Sequence, residues 1–447
     1  MRFKRISYRR MQVTSTQMGQ VLFGATGLMQ VPVLYDRAAD RWLRDTTSII
    51  KLFEADSTAY SSAKSVSARA RSATPECGAD RFLALLLEEF ADEWLWAPAL
   101  YYRWHFRLDA GNLVRRFIMH DFAREMPVPL PRPLAELYLV DRQHDEYVGR
   151  GAGVRDAAGE REMERIYLAT LDALQAVLAQ RPFLLGARPS VADFGFFASM
   201  FRHFALDPTP AKIMRQRAPA VYEWVARLWN SGALPDEEPD SGTGTGTGTG
   251  SESGAGASAP RRRGVDWAPL APLLADAADT YLPYLAQNAE AVLAGEPNVP
   301  LGPLHMMTVP FRSWTAAQLL REWDALAPTQ REQVLQVLGA RGAGRLEAFL
   351  AGRATVERAA KLWQGQSAAA PPLCPPPRGA APLLNRLVGT ANHELRTPLA
   401  LSPLTRGTLA LLAVAAVSSA ASPVARRAWL TAALAIIAWE HLRARYL

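Results

Sequence analysis

The chain has 447 residues, of which 49% are hydrophobic, and this is enough for more than one folded domain. A net charge of +7 is small for this length, and no dense basic run is interleaved with aromatic residues, so nucleic acid is not an expected partner. The two cysteines, Cys77 and Cys374, lie far apart and flank no metal-ligand spacing, so neither a disulfide framework nor a metal site is expected. A reducing compartment, the cytoplasm, fits this cysteine usage best.

The chain begins with a basic segment in which residues 1–35 contain no Asp or Glu. That composition is also typical of an organelle transit peptide. The apolar residues Phe3, Ile6, Tyr8, Met11 and Val13 instead favour a strand that leads into the next element.

A hairpin followed directly by a helix is predicted next. Residues 31–34 form a short apolar strand, residues 36–40 reverse the chain, residues 41–43 return, and Asp45 or Thr46 caps a helix. Proline cannot donate to a strand ladder, so Pro32 indicates an edge, a bend or a cis bond. The helix N-terminus with its threonine hydroxyls suits a bound carboxylate.

This order of elements resembles the second half of the thioredoxin-like domain of glutathione transferases. In that family the residue before the cis-proline pairs with the cysteinyl part of glutathione, and an acid-hydroxyl pair binds the γ-glutamyl end. The resemblance implies glutathione-binding roles for Val31 with Pro32 and for Asp45 with Thr46. A plain strand-turn-helix unit with a capped helix is the alternative for the hairpin alone.

The same resemblance leaves the start of the family's domain without a counterpart. The family's first strand and most of its first helix, which carry the activating Tyr, Ser or Cys, are not matched here. The sequence therefore assigns no catalytic residue.

A Ser-, Ala- and Arg-rich linker precedes a long helix over residues 80–96 that is predicted to be largely buried. An aromatic segment follows at its end. Trp96, Tyr101, Tyr102 and Arg103 would line a pocket for an apolar electrophile; the alternative is packing between helices.

The most specific motif lies between a helix predicted over 160–182 and the next helix. Ser190 caps that helix and the Asp193 side chain accepts a hydrogen bond from the Ser190 amide, which is a capping box. It resembles the box in the C-terminal domain of glutathione transferases, where its role is structural. A buried helix over 194–204, with His203 as a hydrogen-bonded core residue, and one amphipathic helix over 212–230 complete this domain.

The C-terminal part of the chain combines low-complexity segments with apolar runs. Around His393 the sequence resembles the phosphoacceptor box of sensor histidine kinases, but the 54 residues that follow are too few for an ATP-binding domain, which favours chance. The runs 409–421 and 428–439 are each shorter than the roughly 20 residues of a membrane-spanning helix. Residues 407–447 would either dip into a membrane, as in metaxin-like proteins, or pack against the protein.

Together these patterns predict an α+β, mostly α, fold with a glutathione transferase-like architecture. The predicted segments are a partial thioredoxin-like domain (1–58), a linker (59–79), an all-α transferase C-terminal domain (80–232), a disordered linker (233–264), a helical extension (265–350), a largely disordered Pro/Ala-rich segment (351–398) and an apolar helical tail (399–447). The implied activity is conjugation of glutathione, as co-substrate, to a small electrophile, or thiol-dependent reduction, in a homodimer. The alternative is a non-catalytic scaffold, attached to an intracellular membrane by its tail.

Overall fold

The computed structural model describes residues 1–9, 32–36, 41–55, 71–113, 140–234 and 264–366. Nearly all of them belong to one compact unit, made of Met1–Ala110 and Gln143–Pro377. A second unit, Gly111–Arg142 with Arg378–Leu447, has only residues 111–113 and 140–142 described. Val31, the His393 motif and the tail lie outside the described residues. Within the described ranges, no helix has both the length and the apolar character needed to cross a membrane.

The described part of the chain is mostly helical with two small antiparallel hairpins, which is the predicted fold class. Its strands are β1 (Val33–Asp36), β2 (Arg41–Arg44), β3 (Asn298–Leu301) and β4 (Leu304–Met307). Its helices are α1 (Thr46–Ala55), α2 (Gly78–Glu93), α3 (Trp96–His105), α4 (Arg107–Leu113), α5 (Ala157–Leu178), α6 (Val191–Ser199), α7 (Pro208–Arg217), α8 (Pro219–Trp229), α9 (Ala271–Asp276), α10 (Leu282–Ala294), α11 (Pro310–Asp324), α12 (Pro328–Ala351) and α13 (Arg353–Gln366). Three further segments are π-helical, namely His144–Gly151, Met200–Phe204 and Ala277–Tyr281.

The first hairpin turns directly into α1. Val33 pairs with Arg44 and Asp36 with Arg41 in an antiparallel register. Asp45 then takes a left-handed backbone with φ of 72°, a conformation that Asp tolerates better than most residues. Its carboxylate Oδ1 accepts a hydrogen bond of 2.7 Å from the Ser48 amide and so caps the helix.

Of the strand predicted over residues 3–13, the structure contradicts residues 3–5, which lie in a turn, whereas Ile6 forms a β-bridge and residues 10–13 lie outside the described residues. Residues 2–5 form a turn, closed by a 3.0 Å hydrogen bond from the Arg5 amide to the Arg2 carbonyl. The side chains of these two arginines reach the carbonyls of Trp229 and Gly232 at the end of α8. The turn allows both arginine side chains to donate hydrogen bonds to the end of α8 while the Phe3 ring is buried.

Helix α2 is the centre of the main unit and packs against α6, α11 and α12. The contact with α6 is close because a glycine lies at it. A Cβ built at Gly195 would lie 2.7 Å from the Glu88 carbonyl oxygen, which is backbone and cannot move aside.

We therefore expect Gly195→Ala to lower the free energy of unfolding by about 1–3 kcal/mol, because α6 must move away from α2. Chemical denaturation of the full chain measures this loss. Gly149→Ala is the matched control, since a Cβ there meets no atom within 4 Å. Equal losses in the two variants would show that close packing at Gly195 is not the cause.

The loop before α6 forms the capping box. The Ser190 amide donates to Asp193 Oδ2 at 2.9 Å, and the Asp193 amide donates to Ser190 Oγ at 3.5 Å. Two more donors reach Asp193 Oδ1, the Leu184 amide at 2.9 Å and Trp224 Nε1 at 3.0 Å. Asp193 thus ties the preceding loop and α8 to the start of α6.

Instead of the single helix predicted over 212–230, the chain forms α7 and α8. Ala218 separates them with φ of −137° and ψ of 63°. The break follows from Pro219, since a proline disfavours helical backbone at the residue before it.

The C-terminal extension contains a hairpin and one more helix than predicted. Strands β3 and β4 pair antiparallel, with Val299 opposite Met306. Helix α13 falls in the segment 351–398, where little regular structure is predicted. Val356, Ala359 and Ala360 are buried at helical spacing, and α13 packs on α11, so tertiary contact stabilises it.

Candidate functional site

The predicted glutathione-binding residues Asp45 and Thr46 lie where the first turn of α1 contacts α2. Thr46 Oγ1 donates a hydrogen bond to Asp92 Oδ2 at 3.2 Å. Thr47 Oγ1 donates to Glu88 Oε1 at 2.7 Å. The first turn of α1 is therefore attached to α2 through two hydroxyl–carboxyl contacts. Pro32 is exposed, just before β1.

The remainder of α1 is held by ionic contacts. Lys51 Nζ lies 2.9 Å from Glu322 Oε1 on α11. Near the end of the helix, Glu54 accepts a 2.6 Å hydrogen bond from Ser72 Oγ and pairs with Lys4 at 2.9 Å. These contacts fix the C-terminal end of α1 independently of the two threonines.

Four carboxyl groups lie together at the C-terminal end of α2, and we call Glu88, Glu89, Asp92 and Glu93 the α2 carboxyl cluster. Glu88 and Glu89 are only 3% and 8% exposed, while Asp92 and Glu93 are half-buried. Tyr281 donates its hydroxyl to Glu89 Oε1 at 2.9 Å, and Arg312 Nε donates to Glu93 Oε2 at 3.2 Å. The cluster thus faces α1 on one side and the helical extension on the other.

Burial is the main cause that raises the pKa of every member of the cluster, and repulsion adds to it, from other members for Glu88, Glu89 and Asp92 and from Asp45 for Glu93. The pKa of Glu89 rises to about 8 and that of Asp92 to about 7. Burial also raises the pKa of Glu88 well above its usual range and raises that of Asp45. At neutral pH the cluster therefore retains protons that exposed carboxyl groups would release.

Arg312 is the cation that faces this cluster. Its side chain is 2% exposed and donates a hydrogen bond to the Tyr284 hydroxyl. The guanidinium carbon lies 5.1 Å from the centroid of the Trp96 ring and 5.0 Å from that of Tyr284, within the range of cation–π attraction. Arg312 thereby joins α11, α10 and the aromatic segment around the Glu93 carboxylate.

The residues predicted to form an electrophile pocket lie on α3 and make contacts inside the protein. Tyr101 donates its hydroxyl to Glu164 Oε1 at 3.3 Å, and the Tyr102 ring packs on Tyr167 with centroids 5.0 Å apart. Arg103 Nε donates to Asp207 Oδ2 at 2.8 Å. Trp96 differs from these three, because its buried Nε1 has no hydrogen-bond partner in the described part of the chain.

His203 is predicted to be a hydrogen-bonded core residue, and its Nδ1 is buried without a partner among the described residues. It lies in the π-helical segment after α6. Burial and the nearby Arg103 and Arg202 lower its pKa to about 3, so the imidazole is neutral. A neutral, enclosed imidazole fits a packing role.

Sequence reasoning missed the α2 carboxyl cluster and Arg312 as a unit. A signal for the cluster was present, since Glu89 and Glu93 fall at the helical spacing of the apolar residues Phe82 and Phe90. No signal pointed to Arg312, which is 219 positions from its partner Glu93. Within the described ranges, no group of three or more His, Cys, Asp or Glu side chains has the geometry to hold a metal ion.

Comparison with known families assigns the helical region next to this site. Residues 156–227 match the family model for the glutathione S-transferase C-terminal domain. This segment, which runs from the start of α5 into α8, is therefore similar to the C-terminal domain of glutathione S-transferases. No curated protein and no solved structure matches the chain.

Proposed function

We propose that this protein binds glutathione at the start of α1 and transfers it to a small electrophile, or uses its thiol for a reduction. One observation carries the proposal. A β-hairpin leads through Asp45 into α1, which begins at Thr46 and packs against α2. Helix α2 in turn precedes the segment that resembles a transferase C-terminal domain. Val31 and Pro32 would pair with the cysteinyl part of glutathione. Asp45 and Thr46 would bind its γ-glutamyl end.

The charges at the start of α1 suit both the carboxylate and the ammonium group of the γ-glutamyl residue. The helix amides and dipole attract the γ-glutamyl carboxylate. The Thr46 hydroxyl donates its hydrogen bond to Asp92, so its oxygen can only accept a hydrogen bond from a ligand. Together with the Asp45 carboxylate, it would bind the γ-glutamyl ammonium group.

In the proposed conjugation, the glutathione thiol loses its proton, and its sulfur forms a bond to the electrophilic carbon as a leaving group departs from that carbon with the bonding electron pair. The thiolate is the reactive form, so an activating donor or base is required. We assign that role to no residue. The groups proposed here bind and orient glutathione.

The electrophile would bind beside Trp96, Tyr101, Tyr102 and Arg103. Trp96 is half-buried, but its Nε1 is buried, so the exposed part of its ring would contact the second substrate. The other three would hold the wall behind it, because Tyr101 and Arg103 already bond to Glu164 and Asp207 and the Tyr102 ring packs on Tyr167.

The alternative function is a non-catalytic scaffold with the transferase fold, attached to a membrane through residues 407–447. The engagement of Tyr101 and Arg103 inside the protein favours it, because these side chains are then structural. Such a protein, with or without a homodimeric state, would not require glutathione.

Calorimetric titration of the full chain with glutathione tests the proposal. We expect saturable binding that weakens at least about tenfold, or about 1.4 kcal/mol, in both Asp45→Asn and Thr46→Val. Asn at position 45 keeps the left-handed backbone and the acceptor for Ser48, so it removes only the charge.

Thr46→Ser is the matched control, since it retains the hydroxyl and should bind as the wild type does. Absence of binding to the folded wild-type protein would reject the enzyme proposal and support the scaffold. Binding that is equal in all four proteins would locate glutathione elsewhere.

A further inference from the structure

The attachment of α1 to α2 depends on carboxyl groups that are buried close to one another. We propose that the contacts of Thr46 with Asp92 and of Thr47 with Glu88 form a proton-controlled latch, which holds α1 on α2 while the carboxyl cluster retains its protons and releases α1 when the cluster ionises. Since Asp45 and Thr46 lie at the start of α1, the latch would regulate glutathione binding, and that consequence rests on the proposed function. The existence of the latch does not depend on the proposed function.

The charges around the latch do not balance when every group is ionised. The groups of the described residues that interact with the cluster come from four elements, and they are Asp45 at the start of α1, Arg312 on α11, Tyr281 in the π-helical segment and Tyr284 on α10. Helix α6, which packs along the same part of α2, brings Gly195 against the Glu88 backbone and adds no charge there. Among the described residues, these five carboxyl groups thus face two cations: Arg312, which bonds to Glu93, and Lys51, which lowers the pKa of Asp45 but bonds to Glu322.

The spacing on α2 makes this imbalance costly. Glu88 and Asp92 lie four residues apart, and so do Glu89 and Glu93, so each pair shares one face of the helix. Like charges at this spacing repel, and burial removes the water that would screen them. Arg312 bonds directly to Glu93 and Lys51 to Glu322, so no cation of the described residues bonds to Glu88 or Asp92, the two groups that hold α1.

Two responses relieve the excess charge: the cluster binds protons, or water enters beside it. On the side of the extension, Glu89 and Glu93 are bonded to Tyr281 and Arg312, which are themselves buried in the bundle. On the other side α1 is a helix of 10 residues whose first turn is held by two hydroxyl groups. Water therefore enters most readily by separation of the first turn of α1 from α2.

The Thr46 and Thr47 hydroxyls favour the ionised carboxylates and so lower the pKa of Asp92 and Glu88, but burial outweighs them and the net pKa is raised. The direction of the pH effect follows from this net rise. A carboxyl group with a raised pKa stabilises the folded contact fully at pH values below its ordinary pKa, and that stabilisation is lost as the pH rises through the raised value. For Asp92 and Glu89 these values are about 7 and about 8. The latch is therefore closed in mild acid and opens as the pH rises across neutrality.

Hydrogen exchange of the full chain, followed by mass spectrometry of peptides from Thr46–Ala55, tests the latch without any ligand. After correction for the intrinsic pH dependence of exchange, we expect α1 to exchange at least about tenfold faster at about pH 8.5 than at about pH 6. Asp92→Asn, which cannot ionise, should keep α1 protected at the higher pH. Thr47→Val, which lacks one latch contact, should raise exchange at both pH values.

Asp172→Asn is the control, because it removes an exposed carboxylate of α5 that pairs with Arg217 on α7 and should change nothing. Exchange of α1 that does not depend on pH, or that depends on it equally in wild type and Asp92→Asn, would overturn the latch. Glutathione titrations at the same two pH values separate the two proposals. If glutathione binds at neither pH while exchange responds as expected, the proposed function fails and the latch stands.

Discussion

Replacement of Asp193 by alanine is expected to lower the free energy of unfolding by about 3–5 kcal/mol, because the carboxylate accepts from donors in three parts of the fold. They are the amides of Leu184 and Ser190, the Ser190 hydroxyl and the indole N–H of Trp224, at 2.7 to 3.0 Å. Asp193 and Trp224 are both 0% exposed, so without the carboxylate the buried donors lose their acceptor and water cannot replace it. Denaturant unfolding measures the loss.

Ser190→Ala is the matched control for this prediction. It removes the hydroxyl of the cap but leaves Asp193 with its other three donors, so it should cost only about 1 kcal/mol. If Asp193→Ala costs no more than Ser190→Ala, the carboxylate acts only as a local helix cap, and its bonds to the loop and to α8 contribute nothing measurable.

Replacement of Arg312 by methionine is expected to lower the free energy of unfolding by about 3–5 kcal/mol at about pH 8 and by clearly less at about pH 5. Methionine fills much of the same volume but leaves Glu93 buried without its cation. Burial already raises the pKa of Glu93, and Arg312 opposes that shift. Without the arginine the pKa rises further, so in acid Glu93 takes up a proton and the cost falls.

The comparison of Arg312→Met with the double variant Arg312→Met/Glu93→Gln isolates the ion pair. The neutral amide should recover part of the stability at about pH 8 and little at about pH 5. Arg341→Met removes a surface pair with Asp279 and should cost at most about 1 kcal/mol at either pH. A loss from Arg312→Met that is the same at both pH values would show that Arg312 contributes packing and not charge.

The local elements of this fold were readable from the chain because their contacts join residues that are close in sequence. The capping box joins Ser190 and Asp193, three positions apart, and the hairpin register follows from two short strands around a polar turn. The break at Ala218 was also readable, because Pro219 follows it, although the apolar periodicity on both sides suggested one helix.

The turn at residues 2–5 and helix α13 were not readable in this way. Apolar alternation favoured a strand at the N-terminus, yet two arginines draw this segment to the end of α8, more than 200 residues away in sequence. Helix α13 has few apolar residues, and its burial against α11 stabilises it. In both places long-range contact overrides the local preference.

In the candidate site, too, the local features were predictable from the sequence and the long-range contacts were not. Local sequence was sufficient to place Asp45 and Thr46 at a helix start, because capping depends on neighbouring residues. Only the tertiary structure brings the threonine hydroxyls to Glu88 and Asp92 and brings Arg312 to Glu93, across 41, 46 and 219 positions. Ionisation of a carboxyl group depends on burial and on the charges that face it, and both arise when distant helices pack together.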